Sequence, residues 1–228
     1  MIIKRERSPL AIILLAVFLI VIACVSLTFG QIDVPVSKAL AVIGSQLNLP
    51  GFTDADYSRE QLAVIWYIRL PRMLVGVLVG AALGISGAVM QGIFSNPLAD
   101  PGIIGVSAGA GLFAMVIMLL FPEQSAMVPL AAFVGAVLST GIVFFLAWEK
   151  GINPLRMILA GVAVATFFGG GMAALNVFYS DRIQGTVMWM AGGFQGRSWG
   201  HVEMLLPYSA IGIIGTILCA RSLNALQL

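Results

Sequence analysis

The chain has 228 residues, 60% of them hydrophobic and only 10% charged, with a net charge of +2. Soluble domains carry roughly 25% charged residues, so a soluble globular fold is excluded, as is intrinsic disorder, which needs the opposite composition. Two cysteines and one histidine provide neither a disulfide framework nor a metal centre, and the weak basic balance offers no nucleic-acid-binding surface.

Charge-free intervals predict the membrane elements. Between Arg7 and Asp33 lie 25 uncharged residues, and between Arg72 and Asp100 lie 27. The intervals Asp100–Glu123, Glu123–Glu149, Arg156–Asp181 and Glu203–Arg221 hold 22, 25, 24 and 17. A helix needs about 20 apolar residues to cross the hydrocarbon. The expectation is an all-α, polytopic bundle with about six spans, near 10–30, 71–94, 102–121, 127–147, 156–179 and 203–220, forming a single domain over 1–228. The first span follows Lys4, Arg5 and Arg7. Its apolar run is too long for a signal peptide, and no small-x-small cleavage site closes it.

Those three basic residues place the N-terminus inside. The remaining charges do not decide, since six Lys/Arg fall on each face of that topology. Arg69 and Arg72 then sit on the outer face, where the positive-inside rule disfavours them. They read either as snorkelling arginines beside Trp66 and Tyr67 or as a docking patch for an acidic partner.

Residues 31–68 form a predicted extracytoplasmic loop with interfacial helices. Ser37 is a candidate cap for one helix holding Ala39, Leu40, Val42 and Ile43. Asp56 or Ser58 is a candidate start for another that runs into the second span. Within that span Gly76, Gly80, Gly84, Ala88 and Gly92 fall four apart, a small-residue face that lets helices approach closely. Between spans two and three, Pro97 and Pro101 bracket Leu98-Ala99-Asp100 and predict a rigid reversal, with Asn96 and Asp100 as caps. Residues 180–201 are too short to cross and read as a re-entrant or interfacial element.

RLPR at 69–72, VGAALGISGAVMQGIFSNPLADPGIIGVSAGAG at 79–111, MILAGVAVA at 157–165 and WMAGGFQGRSWGHV at 189–202 resemble the FecCD permease family. These are the membrane subunits of ABC importers for iron-siderophores, haem and vitamin B12. The resemblance covers nearly the whole chain and implies a transport subunit without cofactor, metal or catalytic residues of its own. The implied partners are a separate ABC ATPase, a periplasmic or lipid-anchored substrate-binding protein, and a second permease copy or a related permease, all at the cytoplasmic membrane. Arg69 and Arg72 become docking charges for the binding protein. Asn96, Pro97 and Leu98, with Asn153 and Pro154, become a cytoplasmic gate, and the glycine face of span two packs along the pathway.

The family normally has ten helices and continues past a point equivalent to LNALQL, 223–228, into an ATPase-coupling pair. The chain therefore reads as shortened at its C-terminus, and a non-transporting remnant is the alternative. A secondary transporter or channel is disfavoured because ion-coupled carriers keep ionisable groups in mid-membrane and these spans have none. The chain contains no Gly-Lys pair, hence no phosphate-binding Walker loop, and no constellation for a membrane-embedded enzyme.

Overall fold

A computed structural model describes residues 9–30, 32–52, 56–149, 151 and 153–225. Lys4, Arg5 and Arg7, on which the expected orientation rests, lie outside the described residues, as do Gln31, Lys150 and positions 226–228 of the LNALQL end. Among the described residues the structure is helical and contains no β-strand. The α-helices are α1 (Pro9–Thr28), α2 (Val36–Gln46), α3 (Arg59–Leu62), α4 (Leu70–Phe94) and α5 (Val106–Leu120). They continue with α6 (Val128–Ala147), α7 (Pro154–Phe178), α8 (Ile183–Ala191) and α9 (Trp199–Ala225).

Five helical stretches are long and apolar enough to cross a membrane: Pro9–Thr28, Arg59–Phe94, Pro122–Ala147, Pro154–Phe178 and Trp199–Leu223. The expected third span, 102–121, differs. It is a 3-10 turn at Pro101–Ile104 followed by the 15-residue α5, which rises about 22 Å against a hydrocarbon thickness of roughly 30 Å. Gly105 separates the two pieces. Its φ of 73° is left-handed, a conformation glycine adopts without a steric penalty, and it breaks the helical run.

The second span begins earlier than expected. Ser58 accepts from the Gln61 backbone N–H (3.1 Å) while the Gln61 side chain accepts from the Ser58 N–H (3.0 Å). This capping box starts α3, and the helix continues through a π-helical stretch, Ala63–Arg69, into α4. The helix start anticipated at Asp56 or Ser58 is thus at Ser58. The cap expected from Ser37 is not made. α2 starts at Val36 after Pro35, without a side-chain cap; the proline ring fixes the entry dihedral instead.

The chain packs as two compact units, Met1–Ala82 with Phe194–Gly212, and Leu83–Gly193 with Ile213–Leu228. In the first, Leu27, Val34, Ala39, Val42, Ile65 and Leu70 form the core. The Trp66 and Trp199 rings lie 5.0 Å apart, and the Trp199 indole N–H donates to the Trp66 carbonyl at 2.8 Å. The alternation of buried Ala39 and Val42 with exposed Lys38 and Leu40 on α2 is that of an amphipathic helix with one packed face.

In the second unit, Met90, Phe94, Ala99, Ile104, Val143, Met157, Val164 and Phe168 belong to one core. α5, α6 and α7 close up through glycine. A methyl added at Gly109 would run into the Gly135 carbonyl, and one at Gly161 into the Ile103 carbonyl. Backbone approach of this kind gives van der Waals contact between helices where lipid supplies no hydrophobic drive. The fully buried Ser139 hydroxyl adds a bond to the Gly105 carbonyl at 2.7 Å.

Candidate functional site

α4 ends at Ser95, whose φ of 48° turns the chain out of the helix. The Asn96 side-chain oxygen then accepts from the Leu98 N–H (2.9 Å), and the Asp100 carboxylate from the Gly102 N–H (2.7 Å). Both are turns in which a short polar side chain takes the place of a backbone acceptor. Each is helped by a neighbouring proline with a fixed φ. The reversal expected from the two prolines is present, and both predicted caps are made.

A second Asn-Pro pair repeats the device at the start of α7. The Asn153 oxygen accepts from the N–H groups of Leu155 (3.0 Å) and Arg156 (3.4 Å), and Pro154 opens the helix. Arg156 is ion-paired with Glu149, across the turn that joins α6 to α7. The 95–104 loop packs on α7 within two turns of Pro154. Asn96, Ala99, Asp100 and Ile103 line a small cavity with Ile158, and the Ile103 carbonyl abuts Gly161. The structure therefore brings Asn96, Pro97 and Leu98 to the same end of this unit as Asn153 and Pro154. Leu98 stands out from it, 83% exposed. A neutral, rigid loop with one projecting leucine can close a passage by contact; it carries no acid–base pair or nucleophile.

In the other unit the structure separates the two arginines. Arg69 is only 9% exposed. Its guanidinium donates to the carbonyls of Leu27 (2.7 Å), Thr28 (2.7 Å) and Ile32. These are carbonyls at and just beyond the end of α1, where a helix leaves its last acceptors unsatisfied and its dipole favours a cation. Gly30 makes room, since a Cβ there would lie 2.5 Å from the Arg69 Nη2. Arg72, one turn further along, is exposed. It lines an apolar groove of about 640 Å³ with Leu19 and Ile22 of α1, Gly76 and Gly80 of α4, and Phe194. Among the described residues no ion pair involves Arg72.

The 31–68 segment is held by polar ties between α2 and the 56–58 stretch. Lys38 donates to the Asp56 carboxylate at 2.8 Å and to its carbonyl, and the Ser45 hydroxyl lies 2.7 Å from the Tyr57 hydroxyl. The hydrogen bond from Lys38, and then its charge, hold the Asp56 carboxyl below the usual carboxylate range. In the 180–201 segment, Arg182 donates to the Leu119 carbonyl at 3.2 Å, which ties the turn before α8 to the end of α5.

The small-residue face of α4 is open. A Cβ built at Gly76, Gly80 or Gly84 meets no atom within 4 Å, and Ala88 is exposed, while Gly92 is buried. The tight glycine contacts of this chain instead involve Gly105, Gly109, Gly135 and Gly161.

Comparisons with known proteins agree on one family. The family described as the FecCD transport family matches residues 18–228. The Fe(3+)-citrate import system permease protein YfmE of Bacillus subtilis is 35% identical over 91% of this chain and 60% of its own length. The iron(3+)-hydroxamate import system permease protein FhuG of the same organism is 34% identical over 98% and 67%. The cobalamin import system permease protein BtuC of Halobacterium salinarum is 36% identical over 83% and 54%. A solved metal-chelate type ABC transporter in an inward-facing conformation matches with a TM-score of 0.75 and 25% identity, over 97% of this chain and 65% of that one. The chain thus spans about 54–67% of the length of these proteins. With five membrane-length apolar helices, a fold shared with an ABC transporter and a family match over 18–228, this multi-pass membrane protein belongs to the FecCD transport family.

Proposed function

We propose that the chain is a transmembrane permease subunit of a binding-protein-dependent ABC importer. Its cargo is a ferric siderophore, or haem or cobalamin, carried across the cytoplasmic membrane of a bacterium or archaeon. The observation that carries this reading is the family match over residues 18–228. The names of the relatives support it: their stated cargoes are ferric citrate, ferric hydroxamate and cobalamin. ATP is hydrolysed by a separate ATPase subunit, and the cargo is delivered by a periplasmic or lipid-anchored binding protein. The pathway forms with a second copy or a related permease.

The basic start at Lys4, Arg5 and Arg7 supports a cytoplasmic N-terminus. That orientation puts Arg72 on the outer side, where it is the docking charge for an acidic patch on the binding protein. Arg69 serves this surface from beneath, by fixing the end of α1. The loop Asn96–Leu98, packed on the α7 start at Asn153 and Pro154, is the cytoplasmic gate, with Leu98 as the closing side chain. The open glycine face of α4 packs against a further permease helix. The gate and the α4 face carry no charge apart from Arg72, so they hold cargo weakly and release it; discrimination between cargoes lies in the binding protein.

The direct test is uptake. The chain is expressed with the ATPase and binding protein of its source genome in a host lacking its own siderophore, haem and cobalamin permeases. Radiolabelled ferric hydroxamate, ferric citrate, haem and cobalamin are then offered in turn. Uptake of one of them that disappears when the ATPase loses its Walker lysine supports the proposal. Absence of uptake for all four, in cells that assemble the three proteins into one complex, overturns it.

A further inference from the structure

Three peptide bonds carry the chain from one compact unit to the other. They are Ala82–Leu83 inside α4, Gly193–Phe194 between α8 and α9, and Gly212–Ile213 inside α9. Each lies at glycine. The α4 crossing falls between Gly80 and Gly84, and a Cβ at either would meet nothing within 4 Å. Just beyond it the Ser86 hydroxyl donates to the Leu83 carbonyl at 3.1 Å. Back-bonding of this kind competes with the helical ladder and bends helices, and Ser86-Gly87 is a Gly/Ser pair of the sort at which helices kink.

The second crossing follows Gly192 and Gly193, with φ of 73° and 125°, conformations that side chains other than hydrogen rarely tolerate. At the third, Gly212 ends one unit and Gly215 follows in the next, again with open space at both. Pro207 lies inside the same helix and removes one backbone donor from its ladder.

The contrast with α5–α7 is informative. There, glycines bring backbones into contact, and an added methyl collides. At the crossings in α4 and α9 no neighbour requires the missing side chain. What glycine contributes there is a weaker helix, more easily bent. Each unit also has its own buried core, so each holds together without the crossings.

We propose that these three crossings are hinges, and that the two units move as bodies about the 80–87, 192–193 and 207–215 segments. The inference does not depend on the cargo or on transport. On the permease reading it has a consequence, because Arg72 belongs to one unit and the Asn96–Leu98 loop to the other. A partner that docks at Arg72 then acts on the gate through the hinges rather than through a chain of contacts.

Distances between spin labels test it directly. In a cysteine-free background (C24S, C219S), nitroxides at Glu60→Cys and Gln124→Cys report between units, and at Gln124→Cys and Gln184→Cys within one. All three positions are exposed. In lipid nanodiscs the between-unit distribution is expected to be broad or split, and the within-unit one narrow. Gly84→Ala and Gly212→Ala, which introduce no contact, should each reduce the minor between-unit population about fivefold and leave the within-unit pair unchanged. Gly141→Ala is the control. It stiffens α6 away from any crossing, also without a contact, and should change neither pair. A between-unit distribution as narrow as the within-unit one overturns the proposal. So does a broad one that ignores Gly84→Ala and Gly212→Ala, or that responds equally to Gly141→Ala.

Discussion

A guanidinium that is 9% exposed and bonded to three carbonyls is a structural part of the protein before it is anything else. Arg69→Lys keeps the charge but loses the planar fork that reaches several acceptors at once. It leaves part-buried carbonyls unpaired, at about 1–3 kcal/mol. Gly30→Ala should produce the same defect from the other side, because its methyl would displace the Arg69 fork. Thermal unfolding of the purified protein in detergent should show both variants lowered by a similar amount, and the double variant lowered by much less than their sum. Additive losses would mean that the two residues do not share one interaction. Asp56 offers a milder case. Its pKa is depressed by Lys38. The tie between α2 and the 56–58 stretch is therefore present above the ordinary carboxylate pKa and is lost as pH falls through the depressed one, below roughly pH 4. Hydrogen exchange at 56–58 should quicken on acidification over that range. In Asp56→Asn it should already be fast at neutral pH, with no such step.

At the scale of elements, the two kinds of glycine make opposite predictions. Gly161→Ala and Gly109→Ala force a methyl into backbone, and overpacking of this sort costs about 1–3 kcal/mol or more. Gly76→Ala adds a side chain into open space and should be neutral, or stabilising by up to about 1 kcal/mol from helix propensity. Denaturation of the three variants in detergent ranks them, and the reverse order would refute the packing described for α5–α7. The sequence alone could not sort these glycines, because a Gly-x-x-x-Gly spacing looks the same whether or not a helix faces it. Span positions were legible, since a charge in hydrocarbon is expensive and its absence over 20 residues or so is therefore meaningful. The break at Gly105 was not, because glycine is compatible with helix and with the left-handed turn. The early start of α4 was half legible. The Ser58-x-x-Gln61 spacing signals a capping box, but charges at Arg59, Glu60, Arg69 and Arg72 mask the helix behind it. The 95–104 loop was the most legible part of the candidate site, since turns made by Asn, Asp and Pro are local chemistry. The burial of Arg69 depends on α1, some forty positions away, and nothing in the RLPR stretch records it.

At the scale of the whole molecule, the proposed gate and dock can be separated experimentally. Leu98→Trp enlarges the one side chain that projects from the 95–104 loop. It should reduce uptake severalfold while leaving affinity for the binding protein unchanged, because the loop lies in the unit that does not contain Arg72. Docking calls for a sharper comparison, since a charge reversal that merely unfolds the protein would imitate a lost contact. Arg72→Glu changes an exposed side chain with no ion pair among the described residues, whereas Arg69→Glu would place a carboxylate against three carbonyls. If Arg72 meets an acidic surface, Arg72→Glu should slow association with the binding protein about tenfold or more at low salt. It should also flatten or invert the salt dependence of that rate, because charges at the rim of an interface act mainly on encounter and are screened. The melting temperature of the permease should stay where it was. Arg69→Glu should do the reverse, lowering the melting temperature strongly. Binding kinetics on immobilised nanodiscs across a salt series, paired with thermal unfolding of the same preparations, measure both. An Arg72→Glu protein that melts normally and associates at the wild-type rate at every salt concentration would remove the docking role. The exposed arginine would then be a membrane-interface residue, with its stem on the apolar groove and its head in water.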